Sequence, residues 1–198
     1  MDTIEQLERE IVERSTRLAA LRKAATPTPV KDYAFTTLDG RVSLSGLFAG
    51  RDKLLVIHNM GQACRYCTLW ADGFNAFLPH LEHACSVVLV SKDPPQTQRA
   101  FALSRGWRFR MASHGGGEYI KEQSADTEHD NAPGMVAYVL HEGKPARLNA
   151  TGFGPGDAYC ALWPMLGLLG MDEKDFTPQF AYWQRPQKLE DGGLKVLG

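Results

Sequence analysis

Aliphatic side chains at Ile4, Leu7, Ile11, Leu18 and Leu21 recur at spacings of three, four and seven, with charges of both signs between them. This pattern predicts an amphipathic helix over residues 2–24. The stripe either packs on the chain's own domain or pairs two chains as a homodimer, because the same residues trace an a/d seam about three heptads long. Thr26-Pro27-Thr28-Pro29 then ends the helix, since proline cannot donate an amide proton and restrains its predecessor. Residues 1–29 are therefore expected to form a helix and linker ahead of a main domain spanning 30–170, with a tail over 171–198.

From Lys31 the pattern turns to strands. Residues 33–36 and 42–48 flank the turn signal Asp39-Gly40. Lys53–His58 is a nearly continuous apolar run, as in a strand buried on both faces. After Cys64-Arg65-Tyr66-Cys67, residues 68–83 carry Leu69, Trp70, Phe74, Phe77, Leu78 and Leu81 at helical spacing, interrupted by Gly73 and Pro79. Ser86–Ser91 is a second buried strand, Asp93-Pro94-Pro95 opens a helix ending near Gly106, and Arg108–Ala112 is a short strand. Strands alternating with helices predict an α/β fold, with a central mixed sheet of four or five strands flanked by helices. In it, residues 53–58 and 86–91 should be adjacent and parallel.

The remainder is less periodic. Residues 113–131 hold three consecutive glycines and few aliphatics, so they are expected to form a long loop that walls a substrate cleft with His114, Glu118, Lys121 and His129. Trp107 is expected at the surface beside that loop. Residues 135–140 and 147–151 flank the hairpin signal Glu142-Gly143-Lys144. A last helix is expected over 158–169, and the tail is polar and aromatic (Phe176, Phe180, Tyr182, Trp183).

Composition excludes more than it assigns. The chain has 198 residues, 43% hydrophobic and 23% charged, with 22 Lys and Arg against 23 Asp and Glu. A net charge of -1 gives no bulk attraction to nucleic acid or an anionic membrane. No apolar run approaches the roughly 20 residues that span a bilayer. Four cysteines are too sparse for a secreted disulfide framework, so a cytoplasmic protein is expected.

The sharpest chemical feature is Cys64-Arg65-Tyr66-Cys67 between a buried strand and a helix. The first turn of a helix offers unpaired amide protons and about half a positive charge, both of which favour a thiolate. Arg65 is expected to add a cation beside Cys64. Two intervening residues place both sulfurs on one helical turn, within reach of a disulfide. Cys64 at the helix entrance is thus the expected nucleophile in disulfide exchange, and Cys67 the resolving thiol. Structural thiols are the plain alternative. A zinc site would need about four ligands, and no second pair exists, so neither metal nor cofactor is expected. Cys85 and Cys160 read as core residues, Cys160 on a helix, and His58 as a core histidine. The glycine run lacks the Lys-Ser/Thr of a phosphate loop.

The order strand, C-x-x-C, helix, strand, helix, strand, then Pro133 before a hairpin and a last helix, resembles the thioredoxin fold. In that family a cis proline sits opposite the two cysteines, and its neighbouring backbone receives the substrate; the resemblance implies this substrate-binding role for Pro133. A closer resemblance covers nearly the whole chain. Tyr33-Ala34-Phe35, Asp39-Gly40, Leu47-Phe48, Leu55-Val56-Ile57-His58, Cys64-Arg65-Tyr66-Cys67 with Trp70-Ala71-Asp72-Gly73, Val90-Ser91-Lys92-Asp93-Pro94 and Arg105-Gly106-Trp107-Arg108-Phe109 are similar to motifs of the bacterial thioredoxin-like family called "domain of unknown function 899". The chain departs from that pattern after Ser113, where a glycine run replaces the usual aromatic-acidic segment.

The start of the domain is also similar to peroxiredoxins, which place a proline and a threonine just before the reactive cysteine. Here Gly61 lies three residues before Cys64, and Cys64 three before Cys67. The expected function is thiol–disulfide exchange on a protein or small-molecule substrate. A thioredoxin-like binding module and a thiol peroxidase are the alternatives.

Overall fold

The computed structural model describes residues 2–126 and 129–182; part of the aromatic tail expected from the sequence, Trp183 included, lies outside them. The centre is set by two strands, β4 (Lys53–His58) and β5 (Ser86–Ser91), which pair in parallel from Leu54–Ser86 to His58–Val90. Their side chains alternate between two cores. Val56, Val88 and Val90 point to one face and Ile57, Val87 and Leu89 to the other, all essentially inaccessible to solvent. Unbroken apolar runs in the sequence follow from this double burial.

Among the described residues six further strands extend the sheet, to eight rather than the expected four or five. On one side lie β7 (Gly134–His141), β8 (Lys144–Gly152) and β1 (Thr28–Pro29), all antiparallel to their neighbours. On the other, β6 (Arg110–Ser113) continues the parallel set, followed by the hairpin of β2 (Ala34–Thr37) and β3 (Gly40–Ser43). The order is β1-β8-β7-β4-β5-β6-β2-β3. Of the short strands only β1 leaves no strand signal, because its two residues lie in the proline-rich linker; β2, β3 and β6 fall on stretches that read as strands, and only their joining one wide sheet goes beyond the pattern.

Helices flank this sheet: α1 (Ile4–Lys23), α2 (Leu44–Leu47), α3 (Arg65–Ala84), α4 (Pro95–Arg105), α5 (Glu118–Gln123) and α6 (Leu162–Gly167). Trp70, Ala71, Phe74 and Leu78 of α3 fill the core that contains Ile57 and Leu89. Pro79 is accommodated inside α3 without ending it. α1 has a capping box, with Thr3 and Gln6 exchanging hydrogen bonds, yet none of its residues is buried. Packing on its own domain, one of the two options read from its stripe, is therefore not what this helix does. No helix among the described residues is long and apolar enough to cross a membrane.

Four local expectations change. The strand expected over 42–48 stops at Ser43, whose side chain accepts from the Gly46 amide at 3.2 Å and caps the short helix α2. The glycine-rich segment is not one long loop, because α5 folds within it and buries Tyr119, Ile120 and Gln123. Trp107 is only 4% exposed, and its Nε1 donates to Asp72 Oδ1 at 2.7 Å. Finally, α6 starts at Leu162, so Cys160 precedes the helix, in a turn tied by its amide to Asp157 at 3.0 Å.

Candidate functional site

β4 ends at His58 and its chain continues to the N-terminus of α3 through a short, heavily fixed loop. The Asn59 amide donates to Val90 O at 2.9 Å, and the buried Asn59 side chain accepts from the Gly61 amide at 2.8 Å. Gly61 has φ +115°, where a side chain is strained, and a Cβ there would lie 2.8 Å from an Asp93 carboxylate oxygen. Asp93 in turn accepts from the Gln62 amide at 2.7 Å. The β4–α3 loop is thus stapled to the end of β5, and it delivers Cys64 to the helix entrance.

Cys64 is the N-cap of α3. Its Sγ accepts from the Cys67 amide at 3.1 Å, and its carbonyl accepts from the Thr68 amide and hydroxyl at 3.1 and 2.9 Å. A thiol hydrogen bond from Cys67, joined by the amides of Cys67 and Tyr66, pulls Cys64 down to about 7 against the opposing effect of partial burial. Cys67 goes the other way. Its hydrogen bond to Cys64, burial, and the negative charge of Cys64 all raise it, although the Met60 amide donates to its Sγ at 3.4 Å. Arg65 does not figure among the causes, so the expected contribution of its cation is replaced by hydrogen bonds. Both cysteines are free thiols, Cys64 half-buried and Cys67 buried.

The two sulfurs open into a cleft of about 240 Å³ lined by Met60, Cys64, Tyr66, Cys67, Trp70, Pro133, Phe153, Gly154 and Pro155, almost wholly apolar. Pro133 lines the same cleft as Cys64 and Cys67. Its carbonyl accepts from the Phe153 amide at 3.0 Å. Among the described residues no peptide bond is cis, so the bond before Pro133 is trans, unlike the family pattern.

The second wall is residues 153–155, not the glycine-rich segment. His114 is buried and accepts from the Gly116 amide at 3.1 Å, Glu118 pairs with Lys31, and His129 pairs with Asp126 at 3.0 Å. Neither these three nor Lys121 lines the cleft. Sequence reasoning missed the residue that builds the true wall. Asp157 accepts from Trp70 Nε1 (3.0 Å) and from the amides of Gly154 (2.9 Å), Tyr159 (2.7 Å) and Cys160 (3.0 Å), fastening the 153–160 turn to α3. Its only sequence signal is an acidic residue after Gly154-Pro155-Gly156, a common turn composition.

Other candidates fall away from the cleft. His58 shares the face of Val56, opposite the Ile57 face on which α3 packs, and bonds Tyr119 at 2.8 Å. Burial drives it down to about 3, so it is a neutral core residue. Burial raises the thiols of Cys85 and Cys160, and neither lines the cleft.

Residues 2–153 match the family described as "Bacterial protein of unknown function (DUF899)". The chain belongs to that family. For this DUF899 member, solved structures supply the fold. It is similar to the peroxidoxin BcpB of Mycobacterium tuberculosis, at TM-score 0.51 and 19% identity over 65% of this chain and 85% of that one. Peroxiredoxin Q of Xanthomonas campestris aligns at TM-score 0.51 and 14% identity, covering 73% and 97%. A Bacteroides thetaiotaomicron protein, provisionally named a protein disulfide isomerase, aligns at TM-score 0.51 and 18% identity, covering 71% and 86%. At these identities the likeness establishes a thioredoxin-like fold. No curated protein sequence matches the chain.

Proposed function

We propose that this DUF899 protein is a thiol–disulfide oxidoreductase in which Cys64 attacks and Cys67 resolves. The observation that carries the reading is the split between two adjacent thiols. Cys64, capping α3, is drawn down to about 7, whereas buried Cys67 is raised. A thiolate at ambient pH beside a protonated partner is the arrangement that exchange needs.

The Cys64 thiolate attacks one sulfur of a substrate disulfide. A mixed disulfide forms as the substrate bond breaks, and the other substrate sulfur leaves as a thiolate. Cys67 then loses its proton and attacks Cys64 Sγ, forming the Cys64–Cys67 disulfide and releasing the second substrate sulfur as a thiol. The substrate is reduced by two electrons and the protein oxidised by two; the reverse sequence oxidises a dithiol. Negative charge on Cys64 raises Cys67 only while that charge exists, so forming the mixed disulfide lowers the barrier to the second step.

The apolar cleft suits protein or small-molecule disulfides flanked by apolar groups, with Pro133 and residues 153–155 as the binding walls. The sparse cysteines favour a cytoplasmic setting. A Cys67→Ser variant should trap a mixed disulfide with a chromogenic aryl disulfide, while Cys64→Ser should release no thiolate. Rapid consumption of hydrogen peroxide without disulfide exchange would move the reading to a peroxidase. Thiols inert to both substrates would leave a binding module.

A further inference from the structure

We propose that α1 is a dimerisation helix that pairs antiparallel with α1 of a second copy of this chain. Among the described residues the hydrogen bonds that hold the helix to the domain lie near its C-terminal end, where Arg22 donates to Tyr159 Oη at 2.8 Å and the Arg22 carbonyl accepts from Asn149 at 3.2 Å. Its residues before Arg22 are all exposed, and Ile4, Ile11 and Leu21 keep more than 60% of their surface in contact with solvent. An isolated 20-residue helix with its apolar stripe in water is only marginally stable, so this surface calls for a cover.

Charge identifies the cover. Residues 2–13 hold five acidic side chains against the single Arg9, and residues 14–23 hold four basic side chains and no acidic one. A helix's own dipole favours acid at its start and base at its end, but only within the first and last turns. Glu10, Glu13, Arg14 and Arg17 lie in the middle, where the dipole gives them no such preference. A second copy laid antiparallel brings the acidic half of each helix against the basic half of the other.

Register sharpens the choice. With Ile4, Ile11 and Leu18 at a and Leu7, Arg14 and Leu21 at d, parallel pairing would set Arg14 against its own copy inside the seam. It would also set Arg17 against Arg22 of the second copy. The antiparallel arrangement stacks Ile4 on Leu21 and Leu7 on Leu18, places Arg14 beside Ile11, and brings Glu10 opposite Arg17 twice, once on each side of the two-fold axis.

Sedimentation equilibrium of the full chain tests this, with the melting temperature measured in parallel. Wild type should be a dimer whose dissociation constant rises with salt. Arg17→Glu should weaken it by about tenfold at low salt, because two attractive pairs become repulsive. Glu10→Arg combined with Arg17→Glu should recover most of the affinity. Leu7→Lys should give a monomer with an unchanged domain melting temperature, since α1 buries nothing in the domain. Tighter association of Arg17→Glu would mean parallel pairing and would overturn the proposal. So would a wild-type monomer at every concentration, even one captured by anionic vesicles, or a dimer indifferent to Leu7→Lys.

Discussion

Asp157 holds the cleft together, and its removal is expected to separate stability from thiol chemistry. Its carboxylate accepts four hydrogen bonds, two on each oxygen: Trp70 and Gly154 on Oδ2, Tyr159 and Cys160 on Oδ1. Trp70 is 3% exposed and Cys160 7%, so their donors would be left unpaired in the core, while Gly154 and Tyr159 are half-buried and gain water. A charge-assisted bond whose buried donor is orphaned costs about 1.5–3 kcal/mol, and a hydrated one far less. Asp157→Ala should therefore destabilise the chain by about 3 kcal/mol, a fall in Tm of roughly 6–12 °C for a protein of this size. Asp157→Asn presents an amide to one pair of donors and keeps the other pair, so it should lose about half as much. The assay is thermal unfolding followed by tryptophan fluorescence, beside the alkylation rate of Cys64. Since the Cys64 thiolate is held by the Cys67 thiol and by amides of its own helix, its pKa should stay put in both variants, whereas turnover of an apolar disulfide should drop as residues 153–155 loosen. A fall in Tm below about 2 °C for Asp157→Ala, or a shifted Cys64 pKa, would refute this reasoning.

Two further outcomes are expected. A Cβ on Gly134 would collide with Ala125 and lie 2.5 Å from the Thr151 carbonyl oxygen, so Gly134→Ala should cost about 3 kcal/mol through strain at the β7–β8 pairing, read by denaturant unfolding. His58 and His114 are pushed by burial from 6.5 to about 3 and about 4, so the unfolded chain takes up their protons first as pH falls. Their contribution is complete above pH 6.5 and is lost on acidification, toward 4 for His114 and toward 3 for His58; by pH 5 His58 alone should cost about 2 kcal/mol. His114→Asn, which keeps an acceptor for the Gly116 amide, should flatten the dependence of Tm on pH.

The thioredoxin-like centre was legible because burial on two faces leaves a mark in the sequence. Strands β4 and β5 read as unbroken apolar runs, and the face of α3 as a helical stripe, so the pairing of Leu54 to His58 with Ser86 to Val90 followed. The C-x-x-C was legible because one strand and one helix set its position. What stayed hidden depends on contacts distant in sequence. Trp107 is covered because it meets Asp72, 35 residues away, and Trp70 is bound by Asp157, 87 residues away; no local period records either encounter. The glycine run masked α5, whose buried residues are two apolar side chains and a glutamine. The stripe on α1 was read correctly as amphipathic, yet periodicity alone does not say whether the face it describes meets its own domain or another chain.

The pH dependence of Cys64 alkylation tests the central claim most directly. Limiting iodoacetamide, with labelled sites assigned by mass spectrometry, should modify Cys64 ahead of Cys67, Cys85 and Cys160, along a titration curve centred near pH 7. In Cys67→Ala the loss of the thiol donor should move that curve upward toward the ordinary cysteine range. Slow, equal labelling of all four thiols with a midpoint near that of free cysteine, at about 8.5, would contradict the account.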